Sequence, residues 1–439
     1  MKIFFVSLGC DKNLVDSEMM IGMLTENGYE ITDDETTADV IVINSCCFIK
    51  DAKQESIDTI LKMAELKEKG NLKALIVTGC LAERYKEEIQ KEIPQVDEVL
   101  GTNSFDQIAE AVLRVLNGKR ENCFRDINEQ PVYGKKRLLT TGGHYAYLKI
   151  AEGCDKHCTY CIIPKIRGDY RSVPIEVLQK EAEELAEQGV KELILVAQET
   201  TVYGVDLYGR KTLPKLLTQL SAIDGIKWIR LLYCYPEEIT EELITVIKTN
   251  RKICHYLDMP IQHASDSVLK RMGRRTDQKF LREMISNLRK QIPDICLRTT
   301  LITGFPQETV QDQNILKKFV KEMRFDRLGV FSYSKEEDTP AEKMKGQIPD
   351  FLKEIRRNEI MKIQQKIAFE KAQDTIGKTV EVIIEGKLAE EQVYIGRTYK
   401  DAPNVDGFIF INSDRELVTG DMLTVKVTGS HEYDLIGEE

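Results

Sequence analysis

The chain has 439 residues, 42% of them hydrophobic and 31% charged, which is core-forming material for about three globular domains and excludes a mainly disordered or fibrous protein. Its net charge of −10, from 62 basic against 72 acidic residues, makes the chain as a whole a poor non-specific binder of phosphate. No apolar run approaches the ~20 residues of a membrane span and no signal-peptide core follows the start, so a cytoplasmic protein with no membrane partner is expected.

Residues 1–118 alternate strand and helix patterns. Lys2–Ser7, Val40–Asn44 and Ala74–Thr78 are apolar runs, and helical spacing follows each, over Asp16–Asn27, Asp51–Lys69 and Tyr85–Glu92. Such alternation predicts an α/β domain built on an open parallel sheet. Residues 119–143, with Pro131, Gly134, Gly142 and Gly143, break the pattern and read as a linker. Over 144–346 six further strands are expected: Tyr147–Ile150, Glu192–Val196, Trp228–Leu232, Tyr256–Met259, Leu297–Ile302 and Arg327–Phe331. Helices such as Ile175–Gln188 and Glu238–Thr249 lie between them, which predicts a partial (β/α)6 barrel with functional loops at the strand C-termini. Residues 347–374 hold a charged connecting helix. From 375 to 439 the period falls to two, as in Val380–Ile384 and Leu423–Val427, predicting a small all-β barrel.

Eleven cysteines in a cytoplasmic chain are not a disulfide framework; metal, catalysis or inert buried thiol remain. Cys154, Cys158 and Cys161 follow the first strand of the expected barrel in a C-x3-C-x2-C spacing. Three thiolates can hold three irons of a 4Fe-4S cluster and leave the fourth open to a chelating ligand. Zinc, completed by His157 or His144, is the alternative. Cys10, Cys46 and Cys80 each lie just past an apolar run, and strand C-termini of a parallel sheet share one edge. A second cluster explains three such thiols together better than three separate small hydrophobes do. Cys47, Cys123, Cys234, Cys254 and Cys296 are read as non-ligands.

The C-x3-C-x2-C loop with Tyr160 before its last cysteine resembles the radical S-adenosylmethionine superfamily. Two cysteine trios, a barrel and a terminal β domain together resemble its methylthiotransferase family, whose order is cluster domain, radical barrel and TRAM domain. The likeness extends to Asn44–Ile49, Ala52–Ser56, Gly79–Tyr85, Ala197–Gly204 and Asp258–Ser265. Within the family, Ser7–Glu18, Tyr147–Cys154 and Ile162–Gly168 are similar to the branch that modifies small-subunit ribosomal protein S-twelve. Asp11, Cys47 and Glu199 depart from that branch's pattern, and none of them removes a ligand.

The resemblance implies two 4Fe-4S clusters, an auxiliary one on Cys10, Cys46 and Cys80 and a radical-generating one on Cys154, Cys158 and Cys161. It implies S-adenosylmethionine as both methyl donor and radical source, and transfer of a methylthio group to the β-carbon of an aspartate. Radical chemistry suits that carbon, because no general base in water could deprotonate it. A small electron-donor protein of flavodoxin or ferredoxin type is implied as a partner. Gln198, Thr200, Arg298 and Gly304 are the candidates for the S-adenosylmethionine pocket; a solvated polar loop at 198–201 and a plain strand-end turn at Gly304 are the alternatives. A tRNA adenosine methylthiotransferase is the second reading, and a non-catalytic iron–sulfur redox sensor the third. Residues 376–439 carry six basic against thirteen acidic side chains, so direct nucleic-acid binding is not expected and a basic ribosomal protein suits the surface better, unless the charge is only a solvated face.

Overall fold

The computed structural model describes residues 1–70, 72–130, 132–388 and 392–439. Pro131 of the expected linker, and Glu390 and Glu391 of the acidic β region, lie outside the described residues. Strands Lys2–Ser7 (β1), Glu30–Thr32 (β2), Val40–Ser45 (β3), Ala74–Gly79 (β4) and Glu98–Val99 (β5) form a sheet in the order β2-β1-β3-β4-β5, every pair parallel. Strands β3 and β4 are buried along their whole length. A parallel strand covered on both faces reads as an unbroken apolar run, which is why these two stand out in the sequence.

The helix after β1 (α1, Asp11–Glu26) starts five residues before the expected Asp16. Cys10 takes the extended N-cap position, directly after Gly9 at φ +95°. Lys12, Asn13, Asp16, Ser17 and Glu18 are buried in its first turns. Hydrophobic periodicity places such residues outside a core, whereas here Lys12, Asn13 and Asp16 face residues beyond 144, Glu18 faces Arg137 and Ser17 bonds Ser7 of its own sheet. The helix after β3 (α2, Lys50–Glu68) lies within one residue of expectation. The single helix expected over Tyr85–Glu92 is two short ones, Cys80–Tyr85 and Glu87–Glu92, broken at Lys86, whose φ is +44°.

The central unit contains a short ribbon of Ala151–Glu152 (β7) and Arg171–Ser172 (β8), and a six-stranded parallel sheet. The sheet strands are Tyr145–Lys149 (β6), Glu192–Val196 (β9), Trp228–Leu231 (β10), Ile253–Asp258 (β11), Cys296–Thr303 (β12) and Arg327–Ser332 (β13), in the order β13-β12-β11-β10-β9-β6. Leu193, Leu195, Ile229 and Leu231 face the surrounding helices, against Leu178, Leu216 and Leu243. The alternate residues Ile194, Val196, Trp228 and Tyr256 form the inner face. That face is filled by Val15 and Met19 of α1 and by Ile383 and Ala402 of the C-terminal unit. Both flanking units therefore share their cores with the central sheet.

The helix Asp350–Gln373 is more than a connector: Ile360 and Ile367 join the central core, and Gln364 Nε2 donates to the Phe325 carbonyl at 2.9 Å. The C-terminal strands Thr379–Lys387 (β14), Val393–Thr398 (β15), Ile409–Asn412 (β16), Met422–His431 (β17) and Asp434–Glu438 (β18) close into a barrel, as the period of two predicts. Its acidic residues are partly turned inward. Glu381 accepts from Trp228 Nε1 at 3.2 Å, Glu385 from His144 Nε2 at 3.0 Å, Asp401 from Arg327 Nε at 3.2 Å and Asp406 from Tyr256 Oη at 2.7 Å. Fully buried Glu192 bridges Arg230 and Arg397 at 2.7 Å each across the same interface. The acidic excess that the sequence count assigns to the outer surface is thus partly consumed in joining the units. Among the described residues no helix is long and apolar enough to cross a membrane.

Candidate functional site

Both cysteine trios lie just past strand C-termini, one after β1, β3 and β4 and the other after β7. Cys154 follows β7 on a loop that doubles back at Gly153, φ +81°, where a Cβ would stand 2.0 Å from the Asp169 carbonyl oxygen. Only glycine fits there. The Cys154 amide donates to the Gly168 carbonyl at 3.1 Å, that of Thr159 to Met272 at 2.9 Å and that of Cys161 to Cys158 at 3.0 Å. Cys154 and Cys158 are buried and Cys161 is half-buried. Burial, with repulsion from the Cys158 thiol, pushes Cys154 up to about 12, and the same causes raise Cys161. Cys158 Sγ lies 3.9 Å from the Tyr235 hydroxyl and 4.0 Å from Arg274 Nη1, and the Arg274 guanidinium stacks 4.1 Å above the Tyr235 ring.

Cys10, Cys46 and Cys80 converge because β1, β3 and β4 are paired in register to their ends, Ser7 opposite Asn44 and Ser45 opposite Gly79. A Cβ on Gly9 would come within 2.7 Å of Cys46 Cβ, so glycine is what admits Cys10 beside its partner. The Cys46 amide donates to Ser56 Oγ at 2.9 Å and the Ser56 hydroxyl returns a bond to the Cys46 carbonyl at 2.8 Å. Asn13 Nδ2 ties Leu8 and Ser45 together, donating to their carbonyls at 3.0 and 3.1 Å. Cys80 Sγ accepts from both Nε and Nη2 of Arg167 at 3.4 Å. Burial raises Cys46 and Cys80, with repulsion from the other thiols of the trio adding to it.

Among the described residues no three His, Cys, Asp or Glu side chains close to the spacing of a single metal ion. Each trio offers three sulfurs, the number that holds three irons of a four-iron cluster. Of the histidines that could complete a zinc site, His144 is bound to Glu385 in the interface, and His157, on the trio's own loop, is exposed. The remaining cysteines stay apart. Cys47 lies in the core with Ile60, Met63 and Val77, where burial lifts its thiol to about 12. Cys123 pairs with Leu100 as an isolated bridge, and Cys234, Cys254 and Cys296 are buried in the central cores.

A buried ionic network runs from Cys80 to Glu152, two residues before Cys154. Arg167 ends the short helix Ile163–Arg167, which starts two residues after Cys161. Besides Cys80 it reaches Asn13, Asp16 at 2.9 Å and Glu152 at 3.1 Å, and Lys149 reaches Asp16 and Glu152. Burial alone would raise the Glu152 carboxyl, but Arg167 and Lys149 hold it well below the usual range. Gln198 Nε2 donates to Glu152 Oε1 at 2.5 Å.

The four pocket candidates divide. Gln198 reaches the network and keeps a buried Oε1 without a partner. Thr200 is fully buried and spends its hydroxyl on the Leu232 carbonyl at 2.6 Å. Arg298 is held between Asp258 at 2.9 Å and Asp406 at 3.5 Å, tying the C-terminal barrel to the sheet. At Gly304, φ +74°, an added Cβ would fall 2.2 Å from Lys353 Cγ, so the close approach there is to the helix Asp350–Gln373. Gln198 Oε1 and Gln262 Oε1, past strand ends, and Arg274 Nε, beside Cys158, are buried without hydrogen-bond partners, and orphaned polar atoms of this kind call for a ligand or water. Periodicity missed Lys12, Asn13, Asp16 and Arg167. The signal for the first three is a run of polar residues directly behind a strand-end cysteine.

Residues 2–101 match the Uncharacterized protein family UPF0004, residues 148–319 the Radical SAM superfamily and residues 376–439 the TRAM domain. The chain is 64% identical to the ribosomal protein uS12 methylthiotransferase RimO of Lachnoclostridium phytofermentans, over 100% of this chain and 99% of that one. It is 51% identical to the protein of the same name from Thermoanaerobacter sp. (strain X514), over 99% and 98%. Among solved structures it is similar in fold to the radical S-adenosylmethionine methyltransferase TsrM from Kitasatospora setae, with a TM-score of 0.56, 12% identity and coverage of 77% of this chain and 73% of that one.

Proposed function

This chain belongs to the RimO family of ribosomal protein uS12 methylthiotransferases, and from that membership we propose that it places a methylthio group on the β-carbon of an aspartate of uS12. The observation that carries the reading is the pair of cysteine trios, each just past strand ends, with the Arg167–Glu152–Gln198 network running from Cys80 to the strand that precedes Cys154. Cys154, Cys158 and Cys161 would hold the cluster that binds S-adenosylmethionine, and Cys10, Cys46 and Cys80 a second cluster. When bound, these groups supply a radical strong enough to break an unactivated C–H bond and the sulfur that replaces the hydrogen.

The chain's own residues position and insulate. The Cys154 and Cys161 thiols are raised by burial, so loading iron must displace their protons, and protein reconstituted at higher pH should load faster. Tyr235 and the stacked Arg274 wall the Cys158 side, which keeps water from a reactive intermediate. The unpaired oxygens of Gln198 and Gln262 are free to receive donors of a polar ligand at the sheet's C-terminal edge. Arg167 binds Cys80 from the segment that follows Cys161, which ties the dispersed trio to the stretch of chain carrying the loop trio. The division into a cluster unit over 1–118, a barrel over 144–346 and a TRAM unit over 375–439, with a small one-electron donor protein as partner, completes the reading.

The test is intact-mass analysis of purified uS12 after anaerobic incubation with reconstituted enzyme, reductant and S-adenosylmethionine. Gain of one methylthio group is the expected result. An unmodified uS12 beside a thiomethylated tRNA adenosine would overturn it.

A further inference from the structure

Lys12 occupies a position that neither the fold nor the cysteine trios explain. It lies in the first turn of α1, two residues after Cys10, and is only 6% exposed. Its ammonium stands 3.5 Å from the centroid of the Tyr233 ring, at the C-terminal end of β10. Tyr233 is in turn two residues before Tyr235, whose hydroxyl lies 3.9 Å from Cys158 Sγ. Lys12 thus reaches from one trio toward the other.

Other cations nearby are matched by carboxylates, Arg274 excepted, which stacks on Tyr235 and donates to the Pro260 carbonyl. Lys149 has Asp16 and Glu152, Arg167 the same two, Lys156 has Glu199, Glu237 and Glu238, and Arg298 has Asp258 and Asp406. Among the described residues no direct ion pair joins Lys12 to a carboxylate; Asp11 acts on it at longer range and is also drawn to Tyr147 and Arg298. The ring of Tyr233 attracts the ammonium but leaves its donors without an anionic acceptor. A buried charge without a counter-ion is costly, and a ligand carboxylate would remove that cost.

We propose that Lys12 receives the side-chain carboxylate of the substrate aspartate and so sets specificity for an acidic residue over a neutral one. The inference rests on the function proposed above. A carboxylate held there would keep its β-carbon, one bond away, in the space between the two trios.

The experiment compares uS12 with uS12 carrying asparagine at the target position, measuring binding to reconstituted enzyme in the presence of S-adenosylmethionine. Wild-type enzyme should prefer the aspartate form by about tenfold or more, where tenfold is about 1.4 kcal/mol. Lys12→Met should abolish that preference and Lys12→Arg should keep most of it. The Michaelis constant for S-adenosylmethionine in substrate-free cleavage should be unchanged in both. Equal weakening of both uS12 forms by Lys12→Met would make the residue structural and overturn the proposal. So would a fall in S-adenosylmethionine affinity with the preference intact. If Lys12→Met does not fold, the wild-type preference still decides, because its absence in an enzyme that modifies uS12 overturns the role of Lys12 alone. A wild-type enzyme that leaves uS12 unmodified overturns the functional reading itself.

Discussion

The two cysteine trios reach similar ends by opposite routes. Cys154, Cys158 and Cys161 lie within eight residues on one loop, held by backbone bonds to Gly168 and Met272 and by a glycine that nothing larger could replace. Cys10, Cys46 and Cys80 span seventy-one residues and meet only because three parallel strands end in register. Their surroundings differ as well. The loop trio is walled by Tyr235 and Arg274, with carboxylates at a remove, whereas Cys80 is gripped by an arginine inside a network of two acids and a lysine. The lesson is that a local motif carries its own geometry, while a dispersed one borrows its geometry from the sheet and needs a clamp.

The largest effect should come from the loop. Cys154→Ala, Cys158→Ala and Cys161→Ala together should reduce S-adenosylmethionine cleavage to background and halve an iron content of about eight per chain. Full iron retention, measured after anaerobic reconstitution, would break the comparison at its root. Next, Cys10→Ala, Cys46→Ala and Cys80→Ala together should leave 5′-deoxyadenosine formation measurable while methylthio product disappears. Product at the wild-type rate would reduce the dispersed trio to core thiols.

Arg167→Met tests the clamp. Removing one partner from a buried ionic network costs about 3–5 kcal/mol, and here the lower end is expected because Lys149 still reaches Asp16 and Glu152. The urea midpoint should fall, and iron should be lost from the dispersed trio before the loop trio. Equal loss from both would show that Arg167 serves general stability alone.

The smallest effect concerns Glu199, beside the loop trio. Burial, partly offset by Thr201 and Lys156, lifts its carboxyl from 4.5 to about 7. A carboxyl raised by folding is protonated in the folded state while the unfolded chain ionises, so wild-type stability falls as pH rises from about 4.5 to 7. Glu199→Gln has no such loss. The thermal midpoint of the metal-free variant should therefore exceed that of wild type at about pH 8 and match it at about pH 4, below the unfolded value, and a pH-independent difference would place the effect in packing.

Much of this was legible in the chain itself. The unbroken apolar runs of β3 and β4, the six strands of the central sheet and the period-two strands of the last unit follow from side-chain burial, which hydrophobic pattern records directly. The loop trio is equally readable, because its cysteines are neighbours in sequence. Pattern could not anticipate that α1 begins at Asp11, since Lys12, Asn13 and Asp16 are polar residues buried against another unit. Nor could it place Glu385, counted as surface charge, against His144 and Arg397. The same holds for Arg298 and Gly304, which serve interfaces with Asp406 and Lys353. In each case the sequence determined the polarity of the residue, and only the tertiary structure decided what that polarity faces, because the partner of a buried charge lies as many as 252 residues away along the chain, as for Glu336 and Arg84.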